Sequence, residues 1–129
     1  THCHSTNVVK ALIYAKKKGK KFEAYNTETR PLYQGRKTSK ELKAARIKVT
    51  QFIDSAISIA LKPSQETRDV DLILLGADAI LKDNVINKVG SGTIAQLAKD
   101  YKIPLYIVAD SWKYASKSVK LEQRDFDEV

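Results

Sequence analysis

The stretch T-H-C-H-S at residues 1–5 sets the only cysteine of the chain between two histidines. A thiol in that position can act as proton acceptor, nucleophile or metal ligand, and its surroundings decide which. Ser5 and Thr6 are cap-forming residues that announce a helix. Cys3 therefore stands beside a helix start, where the positive end of the dipole and neighbouring imidazoles both favour thiolate. The plainer alternative is a lone cysteine packed as a small apolar residue. His-Cys-His also contains three metal-ligand types. Adjacent residues converge poorly, however: in extended backbone His2 and His4 point to one side and Cys3 to the other, and the sequence offers no second ligand cluster. No metal and no cofactor are expected.

A second chemical group is Asp78, which closes the apolar run L-I-L-L-G-A-D. An aspartate after a strand is commonly a turn or cap residue. Held in partly apolar surroundings, it would instead have a raised pKa and could donate a proton near neutral pH. Asn87-Lys88 followed by G-S-G-T joins a cation to flexible backbone and a helix start. That combination can cradle a phosphate, although structural turns use the same residues. Arg30, Gln34 and Arg36 surround Pro31; guanidinium forks match phosphate oxygens, while surface arginines are ordinarily just solvated.

The elements that must position these groups follow from periodicity. Val8, Val9, Leu12, Ile13 and Ala15 fall at helical spacing and predict a helix from near Asn7 to Gly19. Residues 22–27 (F-E-A-Y-N-T) predict a strand, and T-E-T-R-P-L-Y-Q-G-R a polar connection, because Pro31 and Gly35 discourage regular structure. Thr38 with Glu41 fits a capping box for a helix from Ser39 to about Arg46. Val49–Ile53 predicts a strand, A-I-S-I-A-L a short helix, and P-S-Q-E-T-R-D a loop. V-D-L-I-L-L and P-L-Y-I-V-A-D predict buried strands, with the amphipathic helix S-G-T-I-A-Q-L-A-K-D-Y-K between them. This alternation argues for right-handed βαβ units: an α/β, three-layer Rossmann-like domain with a mostly parallel sheet. Ligands gather at the carboxyl ends of such strands. T-H-C-H-S, T-E-T-R, G-A-D and A-D-S-W-K all fall where loops should converge on that edge.

Composition narrows the partners. The 129 residues, 43% hydrophobic and 29% charged, suit one globular domain. Residues 1–50 hold 13 Lys/Arg against 3 Asp/Glu, and residues 51–129 hold 10 against 12. Such asymmetry can announce nucleic acid or acidic substrates. Lys16, Lys17, Lys18, Lys20 and Lys21 around Gly19 read instead as a helix end, with cations at the negative dipole end and glycine as the cap. No aromatic residues interleave with them as a stacking platform requires, so nucleic acid is not an expected partner. A single cysteine cannot form an internal disulfide, and neither a signal peptide nor an apolar run of about 20 residues is visible. A cytoplasmic protein with no membrane partner is expected. The sequence has no methionine and enters its first motif at once, so it reads as part of a longer chain.

T-H-C-H-S, T-E-T-R-P-L-Y-Q-G-R-K-T-S-K-E-L, G-A-D-A-I, V-I-N-K-V-G-S-G and A-D-S-W-K follow one another in the order of a known family. Over essentially its whole length the chain resembles the C-terminal domain shared by ribose-1,5-bisphosphate isomerase, methylthioribose-1-phosphate isomerase and the alpha, beta and delta regulatory subunits of translation initiation factor 2B, in an archaeal form. The resemblance implies Cys3 as proton acceptor and Asp78 as proton donor. It assigns Ser5, Thr6, Asn7, Asn87, Lys88 and Lys113 to substrate binding, with Arg30 and Gln34 in the family's loop. Regulatory subunits commonly lack one or both of the catalytic pair, so their joint presence favours an aldose-ketose isomerase. Ribose 1,5-bisphosphate is preferred to methylthioribose 1-phosphate because T-H-C-H-S is closer to the first enzyme's motif than to the glycine-containing motif of the second. Asp110-Ser111-Trp112-Lys113 departs from the E-T-Y-K of many relatives: it keeps the lysine, shortens the acid and enlarges the aromatic. The resemblance leaves open an alternative, an initiation factor 2B-like regulatory domain that binds a nucleotide or phosphosugar and contacts an initiation factor 2 subunit. It further implies an N-terminal helical domain that closes over the site, homo-oligomerisation through the present domain, and poor turnover by residues 1–129 alone.

Overall fold

The computed structural model describes residues 1–62 and 69–115. The first helix, α1 (Thr6–Lys17), starts where the Ser5 hydroxyl accepts the Val8 N–H at 3.4 Å. Its last turn carries Lys16 and Lys17, and just beyond it Gly19 takes a φ of 79°, the left-handed turn for which glycine is suited. The basic cluster therefore completes a helix end as its sequence suggests.

Strand β1 (Glu23–Thr27) lies parallel to β2 (Lys48–Phe52), with Glu23 opposite Lys48 and Thr27 opposite Phe52. The crossover helix α2 (Gln34–Ala44) begins well before the Ser39 start that the capping box implies. Thr38 lies inside the helix, and its hydroxyl donates to the Cys3 carbonyl at 2.8 Å. Gly35, read from sequence as a breaker, is helical because of what it faces. A Cβ there would stand 1.7 Å from the Thr27 carbonyl oxygen, so helix and strand touch backbone to backbone. The buried Asn26 amide reinforces the contact, donating to the Gly35 carbonyl at 2.7 Å and to the Ser39 hydroxyl at 3.1 Å.

After β2 a 3₁₀ turn (Asp54–Ala56) leads into α3 (Ile57–Leu61). Strand β3 (Ile73–Leu75) then runs parallel to β6 (Leu105–Ile107). Between them come an antiparallel hairpin, β4 (Ala79–Ile80) with β5 (Val85–Ile86), and helix α4 (Ser91–Asp100). The hairpin has no counterpart in the sequence reading, because strands of two residues are too short to show an alternation. β6 also differs from its expected burial: Tyr106 is 57% and Ile107 37% exposed. The P-S-Q-E-T-R-D loop lies outside the described residues except for Asp69.

Apolar side chains gather in two clusters. Val9, Ala24, Leu42 and Ile47 join α1, α2 and β1, while Leu61, Ile73, Leu75, Ile94 and Ala98 join α3, α4 and β3. The architecture is α/β and Rossmann-like, with parallel strand pairs whose carboxyl ends point toward one set of loops. Among the described residues no helix is long and apolar enough to cross a membrane.

Candidate active site

The strand-end loops do meet, and hydrogen bonds record where. The ring of His2 is buried between the ends of β1 and α4. The Val89 carbonyl can only accept, so Nε2 carries the proton and donates to it at 2.7 Å. Nδ1 then accepts from the Thr27 hydroxyl at 2.5 Å. Gly90, with φ of 97°, lets the α4 start close on that ring, since a Cβ there would come within 3.1 Å of it. Next to His2, the Cys3 N–H donates to the Thr29 hydroxyl at 2.9 Å. From the far end of the fold, Asp110 accepts the Asn7 amide at 3.3 Å, and Gly76 packs against Ser5 so closely that a Cβ would stand 2.6 Å from the Ser5 Cβ.

Desolvation holds the His2 pKa below 6.5, ahead of the opposing pull of the Val89 carbonyl and Asp54. The unfolded ring therefore takes up a proton that the folded ring refuses, and the stability tied to this residue is present above pH 6.5 and lost as pH falls below it. Urea unfolding at pH 7.5 and pH 5 is expected to show this loss. His2→Asn should flatten the difference.

Cys3 takes a φ of 63°, and this turn breaks the strand-like alternation assumed from sequence. His2 and His4 consequently diverge: His4 reaches Glu41 at 3.2 Å on α2 instead of lying beside His2. The thiol is buried among polar partners, with Sγ donating to the Gln34 carboxamide oxygen at 3.5 Å. Its pKa is raised above 9.0, first by desolvation and further by the charges of Asp78 and Asp54, against the opposing pull of the His4 N–H and the Lys88 ammonium. The thiolate preference expected from the dipole and the imidazoles does not hold in this domain, because burial outweighs them and neither imidazole acts on the sulfur.

Asp78 opens the β4–β5 hairpin, its N–H donating to the Ile86 carbonyl at 2.8 Å. It acts electrostatically on Cys3 across the edge of the fold, but it is exposed and not held in apolar surroundings. Lys88 is half-buried and acts on both Cys3 and His2. Other residues are engaged structurally. Ser5 caps α1, the exposed Thr6 is its first residue, and Asn87 donates to the Ser91 hydroxyl at 2.9 Å near the start of α4. Arg30 bonds the Tyr33 hydroxyl and stacks 4.8 Å from that ring, with Arg36 at 3.8 Å. Lys113 sits half-buried in the 3₁₀ turn Ser111–Lys113 after β6, beside a 93% exposed Trp112.

A cleft of about 320 Å³ opens beside these groups, lined by His2, Thr27, Arg30, Asp54, Gly90 and Thr93 among others. Neither Cys3 nor Asp78 lines it. Asp54 is the residue that sequence reasoning missed. Its two carboxylate oxygens accept the Thr29 N–H at 2.9 Å and the Arg30 N–H at 2.6 Å, fixing the loop after β1. Its place directly after β2, at another strand end, was the available signal. Asp54→Ala should release this loop and cost about 2 kcal/mol, the scale of lost bonds to a charged acceptor. A urea titration measures it.

Against this geometry the comparisons with known proteins are decisive. Residues 1–129 match the Initiation factor 2 subunit family. The chain belongs to that family. Within it, the chain is 36% identical to the ribose 1,5-bisphosphate isomerase of Archaeoglobus fulgidus, a match that covers 100% of the chain and 41% of the relative. It is 35% identical to translation initiation factor eIF2B subunit alpha of Dictyostelium discoideum, covering 99% of the chain and 38% of that protein. Among solved structures, that of translation initiation factor eIF-2B subunit delta from A. fulgidus superposes with a TM-score of 0.82 at 28% identity, over 96% of the chain and 40% of its counterpart. The family domain thus spans about two fifths of the length of the curated relatives it matches.

Proposed function

We propose that this Initiation factor 2 subunit family chain is the phosphosugar-binding domain of an aldose-ketose isomerase that converts ribose 1,5-bisphosphate to ribulose 1,5-bisphosphate, completed in the full-length protein by an N-terminal helical domain. What supports the reading is the 36% identity, over the whole chain, to a ribose 1,5-bisphosphate isomerase, together with a Cys3 thiol buried among the strand-end loops and bonded to Gln34.

An aldose with phosphate on its anomeric oxygen cannot open to a free aldehyde without losing the phosphate. The isomerisation then requires a base and an acid working together. The Cys3 thiolate takes the C2 hydrogen as the bond from C1 to the ring oxygen breaks, and the Asp78 carboxyl group is the donor of the proton that this oxygen gains. The resulting enol loses its hydroxyl proton as C1 gains one, giving the ketose with both phosphates in place. Lys88 supplies positive charge beside the anionic intermediate. Since such enols readily eliminate phosphate, water has to be excluded. The exposure of Asp78 fits a site that closes only in the longer chain.

Ketose formation from ribose 1,5-bisphosphate by the full-length protein tests the proposal. Asp78→Asn is expected to lower kcat by about 10³-fold, the usual scale for loss of a general acid. The translation factor relative at 35% identity favours a second reading, in which the domain senses a nucleotide or phosphosugar and contacts an initiation factor 2 subunit. Absence of turnover together with tight binding to such a subunit would select it.

A further inference from the structure

The His2 ring is 3% exposed and takes no part in the proposed isomerisation. Burying an imidazole is costly unless both nitrogens find partners, and here both do, in a chain of hydrogen bonds that runs one way. The Cys3 N–H donates to the Thr29 hydroxyl at 2.9 Å, and the Thr29 and Thr27 hydroxyls lie 3.2 Å apart. Thr27 donates to Nδ1, and Nε2 donates to the Val89 carbonyl. Because the Thr27 proton is committed to Nδ1, Thr29 is the donor between the two hydroxyls. The chain joins two loops with reactive neighbours: Cys3 directly follows His2, and Lys88 directly precedes Val89. Backbone closes tightly on the ring from the Lys88 side, since a Cβ at Gly90 would meet Cε1 and Nε2 at 3.1 Å. The same segment is tied to the start of α4 by the Ser91 N–H, which donates to the Lys88 carbonyl at 3.1 Å, and by the Asn87 amide on the Ser91 hydroxyl. The half-buried Lys88 ammonium, by contrast, forms no hydrogen bond or ion pair with any described residue. Its charge is therefore placed by the backbone that carries it and by packing along its stem.

We propose that His2 is a positioning residue: by bonding the Val89 carbonyl, its neutral ring holds the Lys88 ammonium beside the Cys3 thiol and so sets the reactivity of that thiol. Lys88 and the His4 N–H pull the thiol toward ionisation, against burial and the charges of Asp78 and Asp54. A cation fixed beside a thiol favours thiolate, whereas one that swings into water is screened. The service of this arrangement to catalysis rests on the isomerase reading, while the placing of Lys88 is a property of the fold and needs no substrate.

Alkylation of Cys3 by iodoacetamide across a range of pH, followed on the Cys3 peptide by mass spectrometry in the full-length protein, tests this. Lys88→Gln is expected to raise the pH midpoint of alkylation, lowering the rate at pH 8 by roughly tenfold. His2→Asn, whose shorter amide can meet Thr27 but not Val89, is expected to raise the midpoint in the same direction. The double variant should go no further than Lys88→Gln alone, because both substitutions remove the same charge from beside the thiol. If His2→Asn does not fold, nitrogen NMR of the wild-type ring decides: the proton must sit on Nε2 at neutral pH, and a proton on Nδ1 would overturn the proposal. A midpoint left unchanged by either substitution would overturn it too. So would a midpoint that falls in His2→Asn, which means that the variant has merely opened the loop to water, or two shifts that add in the double variant. None of these measurements reads ketose formation, so its absence would sink the isomerase reading and leave the positioning of Lys88 standing.

Discussion

Cys3→Ser in the full-length protein is expected to lower kcat/KM for ribose 1,5-bisphosphate by about 10³-fold or more, with the fold retained. A hydroxyl can keep the hydrogen bond to Gln34 but is far too weak an acid to supply the base. Because burial raises the thiol above its ordinary 9.0, its thiolate fraction, and with it the rate of alkylation of Cys3 by iodoacetamide, should climb by about tenfold per pH unit through the neutral range, flattening only where the thiolate saturates. The serine variant should lack that climb. Stability carries the same signature. The folded thiol holds its proton more tightly than the unfolded one, so its contribution is fully present below pH 9.0 and is lost as pH rises beyond it. The serine variant should lose this alkaline decline, which pH-dependent urea titrations would show.

Gly35→Ala is expected to be the most damaging small substitution in the described fold. Its Cβ would stand 1.7 Å from the Thr27 carbonyl oxygen and 2.9 Å from the Thr27 carbonyl carbon. Both are backbone atoms, so no side chain can swing aside and α2 must lift away from β1. The cost is roughly 3 kcal/mol or more, a fall in Tm of about 10 °C for a domain of this size. The displacement would also reach the site, because Gln34, adjacent in α2, accepts from the Cys3 thiol and Thr38 donates to the Cys3 carbonyl. Circular dichroism melting measures the first effect and activity the second. A variant that melts with the wild type would mean that the contact between α2 and β1 is looser than the geometry has it.

The same glycine shows what was legible in the sequence and what was not. Helix α1, strands β1 and β2, α3 and α4 follow from local periodicity and from punctuation such as Gly19, because those signals lie within a turn or two of the element they specify. Gly35 gives the opposite impression. Its partner, the Thr27 carbonyl, is brought to it by tertiary packing, and without that contact a glycine beside Pro31 reads as a loop. The site divides along the same line. That strand-end loops converge follows from the alternation of strands and helices, and the His2, Cys3 and Asp54 contacts realise it. The left-handed turn at Cys3 that sends His2 toward Val89 and His4 toward Glu41 has no local signature in T-H-C-H-S. Nor does the burial that raises the thiol's pKa, since it comes from elements far along the chain. Asp54 looks like any aspartate at a helix start, and its grip on Thr29 and Arg30 is visible only when β1 and β2 lie side by side.

The most direct measurement compares ketose formation from ribose 1,5-bisphosphate by four full-length proteins: wild type, Cys3→Ser, Asp78→Asn and the double variant. Groups that act as one unit lose activity non-additively, so turnover is expected in the wild type, with the double variant close to the worse single one. A Cys3→Ser protein as active as the wild type, or single losses that simply multiply in the double variant, would contradict a thiol and a carboxyl group serving the same reacting sugar.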